Sequence, residues 1–234
     1  MKPLLVLAAF PVVLMGWASC SHSGTGHAAL PDPRAVDKSV PEYKNPFHPS
    51  TYAHFVARKD YRKTYDVYKD DTLLNRQPKK SRKIFVCLDE QRGQYLVDGL
   101  VAMDFPLSSG VKAYPTKTGD YAVISKKEDH ASNLYGKMYD AEGKCINYNA
   151  ESTDPIPEGG RFDGSPMPYW QRLTNAGLGL HVGKVRRHPV SHGCVRLPRN
   201  VAEILHRQTS IGTPVTIRKT PLPVPEAQKV PAVQ

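Results

Sequence analysis

Asp98-Gly99 stands between two apolar runs, Gln94–Val97 and Leu100–Leu107, and constrains the fold of this chain more than any other local feature. Both central residues of a type I′ turn need positive φ, which an Asp-Gly pair tolerates, so the segment predicts a tight antiparallel hairpin. Further apolar runs of strand length occur at Lys83–Leu88, Asp120–Ser125, Leu178–Val182 and Pro214–Arg218. A helix is predicted over Asn200 to Gln208, with Val201, Ile204 and Leu205 as its apolar stripe and Asn200 as its N-cap. Strands without repeated strand–helix units exclude a doubly wound parallel sheet and predict a mainly β domain over residues 83–218.

The flanks read differently. Residues 1–19 have the form of a signal peptide: Lys2 is followed by the apolar run Leu4–Met15, which is too short to span a membrane. Trp17-Ala18-Ser19-Cys20 resembles a bacterial lipobox, which predicts lipidation at Cys20 and a location in the periplasm or cell envelope. Ordinary cleavage near Ala18 would instead leave a soluble secreted chain. Residues 20–82 form a basic leader or linker. Leu30–Pro49 is Pro-rich and reads as extended, and Ser50–Tyr68 has a modest helical tendency that does not amount to a domain. Residues 20–83 hold thirteen Lys/Arg against seven Asp/Glu, a net +6, whereas 84–218 hold sixteen against fourteen, a net +2. The leader's basicity, with tyrosines interspersed, suits anionic lipid, wall polymer or a solvated spacer; export argues against nucleic acid. Residues 219–234 are a Pro-rich tail. The polar stretch Asp129–Pro168 is long for a loop and predicts a lid or the wall of a cleft.

The chemistry concentrates in Leu180-His181-Val182-Gly183 and Ser191-His192-Gly193-Cys194-Val195-Arg196. Cysteine reacts as thiolate, so a nucleophilic Cys194 needs a neighbour to take its proton, and His181 and His192 are both available. With Leu178, Leu180 and Val182 on one face of a strand, His181 points to the other and can look into a cleft. Gly193 lets the backbone turn and bare the amides around Cys194, as an oxyanion hole requires. His192 is read either as part of the site or as a histidine satisfied by local backbone, and His188 as solvated loop. The set His181, His188, His192 and Cys194 also offers zinc donors, but without the paired spacings zinc sites use. Lys184, Arg186, Arg187, Arg196 and Arg199 form a basic cluster that would draw carboxylates, with Arg196 the strongest candidate. Cys87 reads as a buried thiol, and a Cys87–Cys145 bridge is open in an exported chain.

These residues resemble the L,D-transpeptidase catalytic domain of the YkuD type, whose signature is an upstream histidine followed by Ser/Thr-His-Gly-Cys, an apolar residue and Arg or Asn. The likeness extends through Tyr114-Pro115-Thr116-Lys117-Thr118-Gly119 and through Pro166-Met167-Pro168-Tyr169-Trp170-Gln171-Arg172-Leu173. It implies a β-sandwich or mixed β-sheet domain with a short helix after the catalytic loop. It also implies an exported peptidoglycan enzyme that needs no cofactor and no metal. Cys194 would attack the carbonyl of the diamino acid in a donor stem peptide, forming a thioester and expelling D-alanine, with His181 as base. Gly193, Ser191, His192 and Val182 would support the site, Val182 through its backbone carbonyl, while Arg196, Tyr169 and Trp170 would contact substrate. The acceptor would be another stem, a wall-attached lipoprotein or, in an L,D-carboxypeptidase, water. Two alternatives are a non-catalytic wall-binding lipoprotein and a papain-like protease, although in the latter the cysteine precedes its histidine.

Overall fold

A computed structural model describes residues 29–77 and 81–232. The expected signal segment and Cys20 lie outside the described residues. The chain enters through a short helix, α1 (Tyr52–Ala57), a two-residue strand, β1 (Tyr68–Lys69), and helix α2 (Asp71–Asn75). Strands β2 (Arg82–Cys87), β3 (Arg92–Val97) and β4 (Leu100–Pro106) follow as an antiparallel meander. The β3–β4 turn has φ of 52° at Asp98 and 81° at Gly99, the signs that a type I′ turn demands. With β13 (Pro214–Arg218) and β5 (Gly119–Ala122) they form a six-stranded mixed sheet ordered β1-β4-β3-β2-β13-β5, in which β13 runs parallel to β2.

One face of this sheet packs on a second sheet, ordered β12-β11-β10-β6. Its strands are β6 (Ser125–Lys127), β10 (Trp170–Arg172), β11 (Gly179–Val182) and β12 (Val195–Leu197). Ile84, Val86, Val215 and Ile217 from the first sheet meet Leu180, Val195 and Leu197 from the second, and all are buried. At roughly 1.5–3 kcal/mol for each fully buried aliphatic side chain, this layer is the main stabilising contact in the domain. Helix α3 (Arg199–Gln208) adds Val201, Ala202 and Leu205 to the same core. Its N-cap position is Pro198 rather than Asn200, which sits inside the first turn with its carboxamide accepting from the Val201 amide at 3.0 Å. The run expected as one strand from Asp120 to Ser125 is broken between β5 and β6, which belong to different sheets.

The opposite face of the six-stranded sheet is covered by the leader, contrary to the expectation of an extended or solvated spacer. Phe47, Tyr52, Ala53, Phe55, Val56 and Tyr61 bury against Val101, joined by Val224 from the tail. The aromatic spacing carries a signal for packing, but the polar and basic residues around it mask that signal. Tyr52 and Tyr61 donate to one carboxylate oxygen of Asp104, at 2.7 and 2.9 Å, and the other oxygen pairs with the Arg92 guanidinium. Asp104 and Arg92 are both fully buried, so the tyrosines satisfy acceptor capacity that would otherwise cost several kcal/mol. The tail is tied down as well: the Gln228 amide group donates to Val101 O and accepts from Val101 N, both at 2.9 Å.

The polar stretch after β6 is not a loop. It forms a separate three-stranded antiparallel sheet ordered β8-β7-β9, from β7 (Ala131–Tyr139), β8 (Cys145–Glu151) and β9 (Arg161–Pro166). Its composition hid it, because two largely exposed faces remove the hydrophobic alternation by which strands are recognised. Its place in the fold is the expected one, at the wall of a cleft.

Candidate active site

Strand register builds the site. β10 pairs antiparallel with β11, Arg172 opposite Gly179, and β11 pairs parallel with β12, His181 opposite Arg196. Residues opposite each other on neighbouring strands share a face, and faces alternate along each strand. Extended by one residue, these registers set two rows on one face of the sheet: Trp170, His181 and Arg196, and beside them Arg172, Gly179 and Cys194. The other face presents Leu180, Val195 and Leu197 to the core. The two rows floor a cavity of about 650 Å³, which Tyr135 and Tyr148 of the three-stranded sheet wall on one side.

His181 is 6% exposed, and its Nδ1 lies 2.8 Å from Val182 O. A carbonyl only accepts, so the proton sits on Nδ1 and Nε2 keeps its lone pair. Burial drives the imidazole pKa down to about 4; nearby Arg196 and His130 push the same way, against the Val182 carbonyl. The ring is therefore a neutral, oriented base at neutral pH.

The Cys194 thiol projects from the diagonal position on the same face but donates to Gly177 O at 3.2 Å. Among the described residues no hydrogen bond joins it to His181. Burial raises its pKa, opposed by the Gly179 amide and by Arg196. Both groups thus rest neutral, because the burial that shields the site penalises both charged forms.

The segment bearing Cys194 is over-determined. Gly193 has φ of 113°, a left-handed-region conformation that favours glycine. The Thr116 hydroxyl donates to Gly193 O at 2.6 Å and accepts from the Gly110 amide at 2.8 Å. Ser191 Oγ donates to Cys194 O and accepts from the Gly193 amide at 3.2 Å. Of the two amides expected for an oxyanion hole, that of Gly193 is therefore turned to Ser191, leaving the Cys194 amide as the candidate donor. Ser109 O accepts from the Val190 and Ser191 amides at 2.8 and 3.0 Å. Thr116, Gly110 and Ser109 escaped sequence reasoning as site residues. The Pro115-Thr116 turn was the available signal, and its partner 77 residues away was not legible.

The remaining expected residues divide. The exposed His192 ring stacks on Tyr135, centroids 4.5 Å apart at 13°, and meets Tyr114 edge-on at 4.9 Å, so it clamps the wall of the cavity to the loop rather than bonding to local backbone. Trp170 lines the cavity 6.0 Å from His181, its indole lying on Gly179, where an added Cβ would sit 2.4 Å from the ring. Tyr169 does not line the cavity. With φ of 55° it turns the other way, packing edge-on against His206 at 5.6 Å, which is the alternation expected beside an inward-facing Trp170. Arg196 lines the cavity with its stem against Gly183. Arg187 does not line the cavity. Its guanidinium donates to Arg62 O and Glu90 O at 2.7 and 2.8 Å and to Thr64 O, pinning the leader. His188 is in an exposed contact with Pro189 O, and among the described residues no three metal-ligating side chains converge. Cys87 and Cys145 are both free, Cys87 buried with its thiol on Lys219 O.

The model of the L,D-transpeptidase catalytic domain, YkuD, matches residues 81–217. A protein of Mycobacterium tuberculosis described as probable L,D-transpeptidase 3 is 30% identical over 121 residues, covering 49% of this chain and 38% of that protein. Among solved structures, an L,D-transpeptidase from Mycobacterium smegmatis aligns with a TM-score of 0.46 at 20% identity, covering 59% of this chain and 58% of that one. An L,D-transpeptidase from Stackebrandtia nassauensis aligns at 0.44 and 21%, covering 71% and 65%. The chain thus spans less than two thirds of the length of each of these relatives. The family match takes in both rows of the cavity floor and the loop that carries the thiol, and on it the chain belongs to the L,D-transpeptidase catalytic domain family.

Proposed function

We propose that this protein is an exported peptidoglycan L,D-transpeptidase working through a Cys194 thioester. The observation that carries the reading is the placement of Cys194 and a neutral, Val182-oriented His181 on one face of adjacent strands, inside one cavity. In the proposed cycle a donor stem peptide displaces the thiol from Gly177 toward Nε2 of His181. Sulfur attacks the carbonyl of the diamino acid as its proton passes to Nε2, and the Cys194 amide faces the developing oxyanion. The C–S bond forms, the C–N bond to the terminal D-alanine breaks, and the Nε2 proton leaves on the departing amine. His181, neutral again, then deprotonates the acceptor amine as it attacks the thioester; the new C–N bond forms, the C–S bond breaks, and the proton passes from Nε2 to the departing sulfur. Because both groups start neutral, no charge is buried until substrate has expelled water.

Arg196, beside the thiol and within the cavity, would position donor groups or brace the loop. The apolar segment before Cys20 supports export, with lipidation at Cys20 holding the enzyme at the envelope. Muropeptide analysis tests the reaction. Purified tetrapeptide stems should give crosslinked dimers with release of D-alanine, and Cys194→Ala should abolish both. Tripeptide alone would identify water as acceptor, and full turnover by Cys194→Ala would refute the proposal.

A further inference from the structure

Arg172 lines the cavity, yet it forms no ion pair among the described residues, and its buried Nε has no hydrogen-bond partner. Buried polar atoms are paired as a rule, so a cavity-lining guanidinium whose buried Nε lacks a partner points to a partner that arrives with the ligand. Register places Arg172 in the same row as Cys194, with Gly179 between them. Two strand spacings, about 10 Å, separate their backbones. Because Gly179 has no side chain, the indole of Trp170 packs over it, between the cation and the thiol. Arg172 is also diagonal to His181, on the side away from β12.

That position has a chemical meaning if the proposed reaction is right, and the inference rests on that reading. The leaving amine must receive its proton from His181, so the departing residue lies on the His181 side of Cys194. Its carboxylate is one carbon beyond that amine, toward β10. The other cavity cations fit less well: Arg196 lies beyond His181 on β12 with its stem held on Gly183, and Lys117 and Lys184 lie outside the two rows that carry the thiol and imidazole. We propose that Arg172 is the anchor for the free terminal carboxylate of the donor's leaving residue, and so selects stems that end at that residue. A planar guanidinium can take a carboxylate through two parallel bonds, which fixes orientation as well as charge. The anchored carboxylate departs with the leaving residue, so nothing holds the cation's partner once the thioester has formed, and the vacated floor is open to an acceptor.

The test compares acylation of the full chain by a tetrapeptide donor, by the same peptide with its C-terminus amidated, and by one with only the diamino acid's side-chain carboxylate amidated. Wild type should prefer the free acid over the C-terminal amide by about 10- to 100-fold, the scale of one charged hydrogen-bonded contact. Arg172→Ala should lower acid kcat/KM to the amide's value and leave the amide's unchanged, with Arg172→Lys recovering part of the preference. Equal losses on acid and amide, or a wild-type ratio near one, would overturn the anchor while leaving the proposed reaction standing. So would a preference that responds to the side-chain carboxylate instead. The wild-type ratio decides even if the variants fold poorly. Absence of wild-type acylation by any of the peptides would overturn the reaction, and the anchor with it.

Discussion

Gly110 and Gly193 lie backbone against backbone: a Cβ on Gly110 would sit 2.8 Å from Gly193 Cα and 2.1 Å from Tyr114 O. The turn running from Gly110 to Thr116 is thereby pressed onto the loop that carries Cys194, and the Thr116 hydroxyl bridges the two. Gly110→Ala should therefore displace the loop. We expect turnover to fall by at least 100-fold, and misplacement of about 1 Å at the reacting atoms is sufficient for that. Thermal unfolding and kcat measured together check it, because the clash is with backbone and cannot be relieved by a rotamer.

Thr116→Val removes the bridge without the clash. It leaves the Gly193 carbonyl and the Gly110 amide without this partner at a cost of about 1–3 kcal/mol. Activity should fall about tenfold or more and Thr116→Ser should restore most of it, since the hydroxyl rather than the methyl makes both bonds. A Val variant as active as wild type would remove Thr116 from the positioning of the loop.

The pKa of His181 predicts two pH effects of definite sign. In the proposed cycle acylation needs the neutral ring, so its acid limb should lie near pH 4 rather than near the ordinary histidine value of about 6.5. Stability follows the same linkage. Below about pH 6.5 the unfolded chain takes up a proton that the folded chain refuses until about pH 4, so stability falls as pH drops through that window. The part owed to His181 is about 3 kcal/mol; it should be absent from the pH dependence of His181→Asn unfolding and appear as the difference between the wild-type and variant curves. Alkylation of Cys194 by iodoacetamide should show a midpoint above the ordinary thiol pKa, because burial raises it.

The leader should behave as part of the domain. Asp104→Asn strips the charge that pairs with the fully buried Arg92, with an expected loss of about 3–5 kcal/mol. Tyr52→Phe and Tyr61→Phe, each removing a hydroxyl from the same carboxylate oxygen, should cost about 1–3 kcal/mol apiece and couple in a double-mutant cycle. Denaturant melts read both. Additive, negligible effects would mean that the leader's contact with the sheet is not stabilising.

Much of this architecture was legible in the chain because it is written locally. The Asp98-Gly99 turn, the strand Pro214–Arg218 and the orientation of His181 opposite Leu180 all follow from alternation and turn chemistry over a few residues. What was hidden depends on distance. Tyr52 and Tyr61 look like surface aromatics until Asp104, 52 and 43 residues away, is known to face them. β7 to β9 lack apolar alternation because the sheet is exposed. The resemblance implies substrate contact for both Tyr169 and Trp170, whereas strand geometry sends neighbours to opposite faces and only Trp170 lines the cavity. The resting charge of Cys194 could not be read from sequence at all, since it is set by burial and by the amide and carbonyl of the Gly177–Gly179 segment.

The central claim is that Cys194, served by His181, carries the acyl group, and intact-protein mass after incubation with a tetrapeptide donor tests it most directly. The account predicts an adduct equal to the donor minus D-alanine, mapped to Cys194, absent in Cys194→Ala and formed far more slowly in His181→Asn. Donor turnover with no adduct on Cys194 under any trapping condition, or an undiminished rate in His181→Asn, would contradict it.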